Sequence, residues 1–92
     1  MHSLRIEEGV LRFLGKLERK HAGQIAVKIL ALANDPHPAD SKGLQGTRSN
    51  LFRTDVGEFR IVYAEQSGEI KILLVGRRND DEVYKELKRK GY

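Results

Sequence analysis

Between Leu51 and Val75 the hydrophobic period is two rather than that of a helix. Phe52, Thr54 and Val56 alternate with Arg53 and Asp55, as in a half-buried strand. Phe59, Ile61 and Tyr63 then share one face of a second run, with Arg60 and Val62 on the other. Ile70 to Val75 is apolar enough to be a central strand. Only Gly57-Glu58 and Gln66-Ser67-Gly68-Glu69 separate these runs. Three consecutive strands joined by such short turns predict an antiparallel meander.

The remaining segments are short. Ser3 to Ile6 reads as a strand. Val10, Phe13, Leu14 and Leu17 fall on one face of a helix expected over about 8–20. Ile25, Ile29 and Leu32 form the stripe of a second helix over about 22–33, with the break placed at His21-Ala22-Gly23. Residues 34–46 read as loop, because Pro36 and Pro38 stop the helix. Asn79 or Asp80 is expected to cap a last helix over about 81–90, whose thin stripe of Val83 and Leu87 implies loose docking. The reading is a single α+β domain over 1–92: an N-terminal strand and helical hairpin packed on an antiparallel sheet, with a C-terminal helix, all helices on one face. Phe13, Leu14, Leu17, Ile25, Ile29, Phe59, Ile61 and Ile72 are the expected core.

Composition narrows the function. The 92 residues contain no cysteine, which excludes a disulfide scaffold and a cysteine-based zinc site. Seventeen Lys and Arg against thirteen Asp and Glu give a formal charge of +4, suited to a polyanion or an acidic protein. No apolar run approaches the roughly 20 residues that span a bilayer, and no targeting segment is visible, so the cytoplasm is the expected location and no membrane partner is expected. His2, His21 and His37 lack metal-ligand spacing, and no phosphate-cradling glycine motif is present, since Gly43 and Gly46 lead to no Lys-Ser/Thr. Asp80 and Asp81 read as helix capping. No metal or cofactor is expected. What remains is arginine on the sheet: Arg53, Arg60, and Arg77 with Arg78, near Tyr84 on the following helix. Guanidiniums pair with phosphate and an aromatic ring stacks on a base, so a basic sheet face with Arg60 on its open side is a plausible RNA platform. Scattered arginines on a solvated surface are the simpler alternative.

Leu44-Gln45-Gly46, Leu51-Phe52-Arg53, Val56-Gly57-Glu58-Phe59-Arg60-Ile61-Val62-Tyr63, Leu74-Val75-Gly76-Arg77-Arg78 and Val83-Tyr84 together resemble the RelE/ParE toxin superfamily. The resemblance implies the fold above and a cognate antitoxin, forming a toxin–antitoxin hetero-oligomer. The antitoxin is expected to be acidic and to wrap the toxin. RelE-like members cleave mRNA in the ribosomal A site without a metal. ParE-like members poison DNA gyrase without catalysis. By resemblance to the first branch, Arg60, Arg78 and Tyr84 are the expected catalytic residues, and Arg53, Arg77 and Lys85 the expected RNA-binding ones. Leu51 and Asp55 depart from the family pattern, because relatives carry basic residues there. A gyrase inhibitor, or a degenerate toxin that only binds its antitoxin, is the alternative.

Overall fold

The computed structural model describes residues 2–44, 50–79 and 82–92, without the Glu82 side chain. Its elements run β1 (Ser3–Ile6), α1 (Glu8–Lys16), α2 (Arg19–Asn34), β2 (Lys42–Gly43), β3 (Leu51–Val56), β4 (Phe59–Gln66), β5 (Glu69–Arg77) and α3 (Glu82–Arg89). The strands form one sheet in the order β1-β5-β4-β3-β2. The β3-β4-β5 meander is antiparallel, as its short turns require. β1 joins β5 in parallel at the edge, so the whole sheet is mixed.

Each turn has a residue suited to it. Gly57 and Gly68 have φ of 57° and 78°, the left-handed region that glycine enters without penalty. The expected cap at Asn79 or Asp80 and the Gln45-Gly46 pair fall on or beside positions outside the described residues, Asn79 alone being described.

Three features differ from the sequence reading. The break between the first two helices falls at Leu17 and Glu18, not at His21-Ala22-Gly23. Leu17 leaves the helix with extended backbone and packs on the core, while His21 meets the Phe59 ring edge-on at 5.3 Å, which favours starting α2 early. The loop expected over 34–46 contains the two-residue strand β2, paired with Phe52 and Arg53. The helices do not share one face of the sheet.

That last difference matters for the site. One face packs Phe59, Ile61, Tyr63, Ile70 and Ile72 against Val10 of α1 and Ile25, Ile29 and Leu32 of α2. Phe13, Leu14 and Leu17 lie partly buried against this cluster. The opposite face carries Leu51, Val62 and Leu73, which also need cover, and α3 supplies it with Val83 and Leu87. Both residues are buried, so the helix is firmly seated, not loosely docked. A slip of register helps: Val62 pairs with Leu74 and Tyr63 with Ile72, leaving Leu73 as an extra residue. This bulge puts Leu73 and Leu74 together in the cluster under α3.

Candidate anion site beside the C-terminal helix

The arginines gather where the β3-β4 hairpin meets α3. Because only Gly57-Glu58 separates the two strands, Asp55 stands directly opposite Arg60 across the ladder. Asp55 accepts two hydrogen bonds from Arg60, from Nε at 2.8 Å and from Nη2 at 3.3 Å. Arg53, two residues earlier on the same face, brings Nη1 to 3.9 Å from the same carboxylate. The Arg60 Nη1 donates to the Tyr84 hydroxyl at 2.7 Å. Arg60 is thus held between sheet and helix, with its side chain only 16% exposed.

Gly76 explains how Tyr84 reaches Arg60. It sits beside Arg60 in the ladder, on the strand that α3 crosses. A Cβ there would overlap Val83 Cγ2. Without one, Val83 settles onto the sheet, and Tyr84, its neighbour in the chain, lands above Arg60. Arg78 follows β5, and its backbone N–H donates to the Glu58 carbonyl at 2.9 Å, tying it to the tip of the hairpin. Its side chain is exposed.

Charges follow from these contacts. The hydrogen bond from Arg60 pulls the Asp55 carboxyl below its ordinary pKa, and the charges of Arg60, Arg53 and Arg78 add to the effect. The same hydrogen bond raises Arg60 in turn. Both groups are ionised at neutral pH.

A second carboxylate braces the strand from its edge. β2 is too short to cover Asp55, and Asp40 takes its place by accepting from the Asp55 N–H at 3.1 Å and the buried Thr54 hydroxyl at 2.7 Å. Lys28 donates to its other oxygen at 3.2 Å. Burial alone would raise the Asp40 carboxyl, but these hydrogen bonds outweigh it and bring the pKa down to about 2.

The structure therefore brings together Arg53, Arg60, Arg78 and Tyr84, and leaves out Arg77. That side chain turns to the opposite face, where its guanidinium lies 5.2 Å from the Phe59 ring centroid and its Nη1 pairs with Glu58 at 2.8 Å. Lys85 is exposed on α3 next to Tyr84. Arg60 is not on an open face, as the sequence suggests, but under the edge of α3. Alternation along the strand puts Asp55 on the face of Arg53 but does not show its tighter hold on Arg60. The available signal is the two-residue turn, which makes residues 55 and 60 direct cross-strand neighbours. A cavity of about 660 Å³ lies elsewhere, between α2 and the β3-β4 turn. Val27, Ala31, Val56 and two glycines line much of it, and its one charged residue, Lys28, is already held by Asp40. It offers no convergent set of polar groups.

No family model matches the chain, and no curated protein matches it. Solved structures do. The chain is similar to RelE in the archaeal RelE–RelB complex of Pyrococcus horikoshii, with 26% identity over 84% of this chain and 94% of that one, TM-score 0.74. It is similar to a mutant E. coli toxin RelE in the free state, with 20% identity, 99% and 98% coverage and TM-score 0.79. A toxin–antitoxin complex of Mycobacterium tuberculosis matches at 21% identity, 84% and 98% coverage and TM-score 0.72. The fold is that of the RelE toxins. With the archaeal relative and the motifs above, it supports assigning the chain to the RelE-like superfamily.

Proposed function

We propose that the chain is the toxin of a type II toxin–antitoxin pair and that it cleaves mRNA on the ribosome. The observation that carries this reading is Arg60, fixed between Asp55 and the Tyr84 hydroxyl with Arg53 and Arg78 nearby. In the reaction, the ribose 2′-oxygen attacks the adjacent phosphorus as its proton passes to water. The bond to the 5′-oxygen breaks, and that oxygen takes up a proton. The products are a 2′,3′-cyclic phosphate and a 5′-hydroxyl. Negative charge grows on the non-bridging oxygens at the crowded intermediate, where Arg60 and Arg78 stabilise it. Arginine stays protonated, so neither serves as the base. The Tyr84 hydroxyl accepts from Arg60, which leaves its own proton free to be donated to the departing 5′-oxygen. Arg53 and Lys85 would hold the flanking backbone. Arg77, engaged by Glu58 on the other face, contributes least to RNA binding.

The partner in this reading is an acidic antitoxin encoded beside the toxin, and binding should weaken as salt rises. The test of function is induction in cells, with mRNA cleavage mapped on translating ribosomes. Cleavage that is abolished by Arg60→Ala and Arg78→Ala supports the nuclease. Growth arrest with intact mRNA and altered plasmid supercoiling would instead indicate a gyrase inhibitor.

A further inference from the structure

Among the described residues, Asp55 is the carboxylate that holds Arg60, taking two of its N–H groups, although an anion site does not need an acid to bind phosphate. A guanidinium has five N–H donors. Among the described residues, Asp55 takes two from Arg60 and Tyr84 takes one, which leaves two. A carboxylate and a phosphodiester oxygen seek the same donors, and their charges repel. Arg53 forms a longer ion pair with the same carboxylate, its Nη1 at 3.9 Å. Asp55 is itself fixed from behind, because its backbone N–H is held by Asp40.

We infer that Asp55 is a built-in counter-anion for this site: it orients Arg60 toward Tyr84 and at the same time holds down the affinity for a phosphodiester. The inference rests on reading Arg60 as the anion-binding group. Two effects of one carboxylate can be separated by substitution. Asp55→Asn removes the charge and keeps an oxygen that can accept from the Arg60 Nε. Asp55→Ala removes both the charge and the acceptor, so Arg60 is released from its fixed orientation.

The probe is a short fluorescent oligouridylate, titrated into the intact chain at one fixed salt concentration. Circular dichroism on each variant confirms the fold. Removing a full charge within a few ångströms of the phosphate should tighten binding to Asp55→Asn about five-fold over wild type. Asp55→Ala should gain less than Asp55→Asn, because orientation is lost. Arg60→Ala should bind more weakly than wild type. If Arg60→Ala binds as wild type does, the anion site is not at Arg60. If Arg60→Ala loses binding but folded Asp55→Asn binds no tighter than wild type, the counter-anion role is wrong. An equal gain in Asp55→Ala and Asp55→Asn would remove the orienting role. A residue that only braces the hairpin would change thermal stability in these variants without changing their affinity.

Discussion

On the face of the sheet under α1 and α2, Phe59, Ile61, Tyr63 and Ile72 pack against aliphatic side chains from two helices. On the face under α3, a smaller apolar cluster of Leu51, Val62, Leu73, Val83 and Leu87 gives way to Arg53, Asp55, Arg60 and Tyr84. The first face is closed by nondirectional burial, and its stability grows with apolar area. The second is closed half by burial and half by a few directed hydrogen bonds, each dependent on position. The two faces should therefore fail differently. Damage to the first should unfold the domain, whereas damage to the second should loosen α3 and the site while the sheet persists.

The largest effect is expected on the first face. Ile25→Ala or Ile72→Ala, both fully buried, should cost about 2–5 kcal/mol, a large share of the stability of so small a domain. Chemical denaturation should show the whole transition shifting together. A local loss confined to α2, with the sheet intact, would break the contrast between the faces.

Gly76→Ala should come next. The new methyl collides with Val83, so α3 must lift or Val83 must move, at about 1–3 kcal/mol. Limited proteolysis should find cleavage near α3 at denaturant levels where β3-β5 stay protected. Unchanged proteolysis would mean that Val83 repacks without moving the helix.

Asp40→Ala should cost about 1–2 kcal/mol, allowing for partial exposure of the pair with Lys28. Its pH dependence has a defined sign. Its folded pKa, about 2, lies below the ordinary 3.8, so its contribution is complete above about 3.8 and is lost as pH falls toward 2. Wild type should lose stability over that window, and Asp40→Asn should lose less. A variant with the same acid limb as wild type would show that other carboxylates set it.

Arg77→Ala should be the mildest. Its exposed pair with Glu58 and its contact with Phe59 are together worth less than about 1 kcal/mol, and RNA binding should hardly change. A marked loss of RNA binding would move the site's boundary to the other face.

The contrast between the faces also sets what could be read from sequence. Alternation of Phe59, Ile61 and Tyr63 marks the helix-facing side directly, because period two is a property of the local backbone. The parallel pairing of β1 with β5 is not local, and nothing in Ser3–Ile6 encodes its partner. The seating of α3 is not legible in the sequence because Val83 and Leu87 look sparse alone. Their burial depends on Leu51, Val62 and the bulged Leu73, which are distant in sequence. In the same way Arg60, Arg78 and Tyr84 are legible as a motif, but the hold of Asp55 on Arg60 depends on hairpin register, and the approach of Tyr84 depends on a missing Cβ at Gly76.

The central claim is that Arg60, pinned between Asp55 and Tyr84, stabilises charge developing on a phosphodiester. The most direct measurement is the rate of mRNA cleavage on translating ribosomes by wild type and by Arg60→Ala, with the folded state of both confirmed. Loss of one such charge-stabilising group should slow cleavage on the order of 10²–10³-fold with little change in thermal stability. Cleavage by Arg60→Ala at the wild-type rate would contradict the account.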